Sequence, residues 1–164
     1  MIDRKIAPSF VESTAFDLIR PNATTLSNGI PVFFISGGSQ EVIKVTLIFQ
    51  AGRWHEEVWG SSHFSSHLLS KGTGQKNSFE IAQLFDRFGA HLEVSPGLDF
   101  VSISLYALTP YLQPVLQLLN EILQQPVFPE KELDQMKAIY QQNLKVNLEK
   151  TSFLASKLFR KSLF

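Results

Sequence analysis

The chain has no cysteine among its 164 residues. Disulfide frameworks, thiolate zinc sites and cysteine nucleophiles are therefore excluded, and any metal has to be held by His, Asp or Glu. Neither sign of charge is in excess: Lys plus Arg is 15 and Asp plus Glu is 15. Nucleic-acid binders carry a basic surplus or stripe, so that class falls away, as does a polybasic membrane-surface protein. No run approaches the roughly 18 unbroken apolar residues of a membrane-spanning helix. The first ten residues contain no apolar stretch of the signal-peptide kind, which points to the cytoplasm. What is present is 44% apolar and 12% aromatic residues. That supplies one domain with a core, too short for two, and excludes disorder.

Residues 1–23, with Pro8 and Pro21, read as an irregular N-terminal arm, and residues 24–164 as the domain. Leu26, Asn28-Gly29 and residues 30–35 predict two strands joined by a tight Asn-Gly turn. Residues 41–51 predict a sheet strand, with Ile43, Val45, Leu47 and Phe49 in the core and Lys44, Thr46, Ile48 and Gln50 opposite. Residues 60–71 have helical spacing, with Phe64, Leu68 and Leu69 on the apolar side and Gly72 as the stop. Asn77 and Glu80 form a capping box that opens a helix over residues 79–88. Two further strands, 90–95 and 100–108, flank Pro96-Gly97. Leu112, Val115, Leu116, Leu119 and Ile122 predict a helix ended by Pro126. A long helix follows over 130–149, striped by Leu133, Met136, Ile139, Tyr140, Leu144 and Val146, and another begins near Thr151. This order predicts an α+β fold, a two-layer sandwich of a mostly antiparallel sheet backed by helices. Most of the 14 phenylalanines are expected in the core. The amphipathic ending, without a C-cap, predicts a piece of a longer protein.

His63 and His67 stand four apart on the predicted helix, so both imidazoles leave one face a turn apart. Two nitrogen ligands need that spacing to share a tetrahedral zinc, although two ligands do not make a site. His55 and His91 add no useful spacing. The surroundings, Gly60, His63-Phe64, His67-Leu68 and Lys71-Gly72-Thr73, resemble the metal-binding helix of the pitrilysin/insulinase family, inverted zincins that include the mitochondrial processing peptidases. Leu26-Ser27-Asn28-Gly29-Ile30-Pro31-Val32, Ala51-Gly52-Arg53-Trp54-His55-Glu56, Phe88-Gly89-Ala90 and Phe128-Pro129-Glu130 are similar to further stretches of that family. The resemblance implies a zinc peptidase fold with a His-x-x-Glu-His motif and a third, glutamate ligand on a later helix.

Two positions depart from that pattern. Ser66 stands where the resemblance implies the general-base glutamate, a loss typically worth about 10²–10⁴ in rate. Asn143, 76 residues after His67, stands where it implies the third ligand, and its neutral amide binds zinc less well than a carboxylate. Glu149 is six residues further on, about 240° around the helix, and points elsewhere. Spacing does not bring Glu56, Glu57 or Glu93 to the pair. His63 and His67 are left as a weak or vestigial metal pair, with no catalytic residue and no tightly held zinc expected.

The resemblance therefore implies a non-catalytic homologue of a zinc endopeptidase. Such a half pairs with a catalytic subunit or second half and helps enclose polypeptide substrates. Peptides in the family add as a strand to a sheet edge, here expected at residues 42–52 or 90–108. Two other readings stay open: an active zinc metalloendopeptidase with an unusual ligand set, and a purely structural assembly domain.

Overall fold

A computed structural model describes residues 18–163, which divide into two units between Gln40 and Glu41. Most of the expected arm lies outside the described residues. The first unit holds an antiparallel hairpin of β1 (Asn22–Thr25) and β2 (Pro31–Phe34), in the register Asn22↔Phe34 to Thr25↔Pro31. The first strand thus starts at Asn22, ahead of the Leu26 from which it was read. Its connection is a three-residue loop rather than a two-residue Asn-Gly turn. Gly29 N donates to Leu26 O at 2.9 Å, and Leu26 N to Ile30 O at 2.9 Å. Gly29 takes the left-handed position (φ +84°), as a type I turn followed by a bulge requires.

The second unit is built on a three-stranded antiparallel sheet in the order β3-β5-β4, from β3 (Val42–Phe49), β4 (His91–Pro96) and β5 (Val101–Leu108). Its helices are α1 (Ser61–Leu68), α2 (Ser78–Arg87), α3 (Leu112–Gln124), α4 (Glu130–Leu148) and α5 (Thr151–Leu163). The α+β expectation holds. Period-two alternation puts Val101, Ile103, Leu105 and Ala107 of β5 on one face, none more than 5% exposed. Ile81 and Phe85 of α2 and Val115, Leu118, Leu119 and Ile122 of α3 close over them. Val45 and Leu47 of β3 and Leu92 and Val94 of β4 pack at the rim of this core. The opposite face is polar: Thr46 and Ser104 hydroxyls meet at 3.1 Å across β3 and β5. Because β5 is central, β3 and β4 alone of these strands present an edge, which removes half of the expected 90–108 edge.

The capping box is present: Glu80 N donates to Asn77 Oδ1 at 3.0 Å, and Asn77 N to Glu80 Oε2 at 2.8 Å. The turn after α1 is fastened to α3. Thr73 donates its hydroxyl to Glu121 at 2.6 Å, and the Lys76 ammonium meets the other Glu121 oxygen at 2.6 Å. These contacts hold Glu121 below the ordinary carboxylate range, the Lys76 bond first and the Thr73 bond second.

Two core expectations need correction. Phe49 is 42% exposed, since at the end of β3 it borders an open cavity shared with Leu69, Leu123 and Phe128. Among the described phenylalanines Phe85 is the buried one, while Phe33, Phe34, Phe79, Phe100, Phe128 and Phe159 are exposed. Burial is concentrated on the inner sheet face with α2 and α3 and in and around α1, with Ser104 buried on the opposite sheet face. No α4 side chain is buried, so its apolar stripe is left half-covered or open.

Candidate functional site

The site is built on α1, whose start is held from two directions. Gly52 N donates to Asp99 O at 3.1 Å, Arg53 N to Gly97 O at 3.1 Å and Trp54 N to Leu98 O at 2.9 Å. These bonds lay the chain after β3 against the β4–β5 turn. A Cβ at position 52 would collide with the Leu98 carbonyl, so the close approach demands glycine. Glu56 then reaches forward: its carboxylate accepts from Gly60 N at 2.9 Å and Ser62 N at 3.0 Å. It thereby satisfies amide groups that a helix start leaves without partners. The Ser62 hydroxyl donates to Ala51 O at 2.7 Å. Glu56 is thus the cap of α1; it borders a separate cavity of about 290 Å³ together with His63, and its carboxylate is engaged by the two amides. The Arg53 guanidinium lies over the Trp59 ring, 5.2 Å from its centre.

One turn further, His63 and His67 meet edge to face with ring centres 4.6 Å apart. The Tyr140 ring of α4 stands 5.6 Å from His63 and 5.9 Å from Phe64, which brings α4 against α1. Between α1, α4 and the edge strand β4 lies an open cavity of about 550 Å³. His63, Ser66 and His67 line it from α1, and Met136, Ile139, Tyr140 and Asn143 from α4. Leu92 and Val94 form its sheet side, and Ser70 and Lys71 close its end. Ser66 is 4% exposed. Burial first, then His63, then Lys71 hold the His67 imidazole below its ordinary pKa, which keeps it neutral at neutral pH.

The four positions singled out in the sequence, His63, Ser66, His67 and Asn143, therefore border one cavity. His91 and Glu93 do not: they lie on the outer sheet face, where His91 pairs with Tyr106 in register and Glu93 accepts from Ser95 at 3.3 Å. Glu149 follows α4 as its exposed C-cap, and His55 lies in a 3₁₀ turn before α1. Lys71, Met136 and Tyr140 were not read as site residues. Met136, Tyr140 and Asn143 are separated by four and three residues, so one helical face carries all three once Asn143 is placed.

The donor set does not fit a catalytic zinc. Among the described residues no three His, Cys, Asp or Glu side chains come together as a ligand group. The cavity offers two imidazoles, an amide, hydroxyls and a thioether, and no carboxylate to offset the metal's charge.

An α+β sandwich with two histidines a turn apart, facing a second helix, is the arrangement that the resemblance to the inverted zincins implies. Comparison with known proteins agrees. The family model described as insulinase (peptidase family M16) matches residues 32–163. An uncharacterized zinc protease of Rickettsia felis is 29% identical over 114 residues, 68% of this chain and 28% of the relative. A second, from Bacillus subtilis, is 26% identical over 124 residues, 74% of this chain and 30% of the relative. The mitochondrial-processing peptidase subunit beta of Rattus norvegicus is 22% identical over 156 residues, covering 92% and 32%. A crystal structure of a peptidase M16 inactive domain from Pseudomonas fluorescens superposes with a TM-score of 0.76 at 24% identity, covering 83% of this chain and 34% of that one. The chain belongs to the insulinase family of peptidases. It spans about a third or less of the length of these curated relatives.

Proposed function

We propose that this chain is part of a non-catalytic member of the insulinase family, a half that helps enclose and bind substrate peptides beside a catalytic partner. The observation that carries the reading is the chemistry of the α1–α4 cavity. It is lined by both histidines together with Ser66 and Asn143, and by no carboxylate. With neither a general base nor an acidic ligand, a zinc-bound water would lack both the charge balance that holds the metal and the group that takes its proton. The scaffold around that chemistry is intact: α1 is capped, and the β4 edge lies beside the cavity with two apolar side chains in it. An extended peptide fits such an edge by strand addition.

The test uses the full chain. Metal analysis after dialysis against zinc should find far less than one zinc per chain. An unstructured labelled peptide should bind, seen as a rise in fluorescence anisotropy, and remain uncut over hours. Stoichiometric zinc together with chelator-sensitive cleavage would overturn the reading in favour of an active endopeptidase. Failure of every peptide to bind would leave a structural assembly domain.

A further inference from the structure

We propose that the cavity between α1, β4 and α4 receives a carboxylate carried on an apolar body, which polypeptides present as a free C-terminal apolar residue. The inference rests on the reading that this cavity takes peptides, and it inverts the charge of what the scaffold would hold as a metal site. Among the described residues lining the cavity, the titratable groups are His63, His67, Lys71 and Tyr140, with no Asp or Glu. No carboxylate lines the cavity, and Lys71 brings an ammonium group to it. Lys71 is half-buried, and among the described residues it makes no ion pair, whereas Lys76 and Lys137 do.

Around that charge stand hydrogen-bond donors that folding does not use. Among the described residues, the side chains of Ser66, Ser70, His63, His67 and Asn143 make no hydrogen bond within the protein. Ser66 is more than nine-tenths buried and lines the cavity, and no buried side-chain N or O of the described residues is sealed away without a partner. A carboxylate is acceptor-only, and hydroxyl, amide and imidazole N–H groups can each donate to it. The carbonyl end of α1 opposes an anion with about half an elementary charge, against the full charge of Lys71. The remaining lining supplies the apolar body's partner: Leu92 and Val94 from the sheet, Met136 and Ile139 from α4. Apolar walls with a few convergent polar groups at one end select an amphipathic ligand, and capture of a terminal carboxylate is a recurrent mode of peptide recognition.

The experiment titrates the full chain with an unstructured pentapeptide ending in leucine, as the free acid and as the C-terminal amide. A third peptide carries an internal glutamate and an amidated end. Isothermal calorimetry should show the free acid binding about 10-fold more tightly than the amide, as charge-assisted hydrogen bonds to one group allow. High salt should shrink that ratio. Lys71→Met should bring the ratio close to one while leaving the amide's affinity in place, and Lys71→Arg should keep the preference. Asn143→Leu supplies a second variant, expected to weaken the acid more than the amide. Equal binding of acid and amide overturns the proposal and leaves the peptide-binding reading standing. Preference for the internal glutamate overturns the terminal assignment. Binding of none of the three overturns both.

Discussion

The two ends of α1 are treated in opposite ways. At its start, polar groups are consumed by the fold: the Glu56 carboxylate accepts from Gly60 and Ser62, and the Ser62 hydroxyl bonds Ala51. At its finish, Ser66, His67, Ser70 and Lys71 line an open cavity. Helix starts and finishes both leave backbone groups without partners, so geometry alone does not require the asymmetry. The first end is a structural joint. The second borders an open cavity.

The strongest way to break that contrast is to rebuild the metal chemistry at the open end. Ser66→Glu with Asn143→Glu should convert a chain that retains little zinc into one that binds it stoichiometrically, measured by metal analysis. Without zinc the double variant should melt lower, because a carboxylate at the buried position 66 loses its hydration. An unchanged zinc content would show that positions 66 and 143 do not converge on the histidines. Next in size is the joint itself. Gly52→Ala drives a methyl into the Leu98 carbonyl and should cost about 3 kcal/mol, read from urea unfolding. Glu56→Ala leaves two amides of the α1 start without their acceptor and should cost about 1–2 kcal/mol. By contrast, Lys71→Met at the open end should change stability by less than about 0.5 kcal/mol. A loss there as large as that of Glu56→Ala would erase the distinction between the two ends.

The smallest expected effect concerns pH. Glu121 has its pKa lowered in the folded chain by Lys76 and Thr73. The unfolded chain therefore binds the proton more readily. This contribution to stability is complete above the ordinary value of 4.5 and is lost as pH falls through the folded value. Both partners keep some exposure, so the effect is modest. Lys76→Met should flatten the acid limb of a stability–pH profile, and an unaltered limb would remove this ion pair from the account.

Much of the fold was legible because it rests on local chemistry. The Asn77–Glu80 box, the proline before α4 and the alternation of β5 each express a short-range preference. Phe49 was misread because alternation says which face a residue takes, not whether a helix covers that point of the sheet. The central place of β5 was hidden for a related reason: strand order is set by pairing across the chain, and hairpin signals report only neighbours in sequence. At the site, His63, Ser66, His67 and Asn143 could be named from spacing and resemblance. Lys71 and Tyr140 could not, since what lines a cavity depends on how α1 packs against α4. Glu56 was visible as an acid, but its job was not, because a side chain reaching four and six residues ahead matches no short capping pattern.

The chain has two tryptophans, and both, Trp54 and Trp59, sit in the pinned segment ahead of α1, 73% and 70% exposed. Intrinsic tryptophan emission is consequently a spectroscopic reporter of that segment and carries little signal from the apolar centre under α2 and α3. Far-ultraviolet circular dichroism follows the five helices. Coincident transitions by the two probes would mean that the segment melts with the whole, and an earlier fluorescence change would time its release separately.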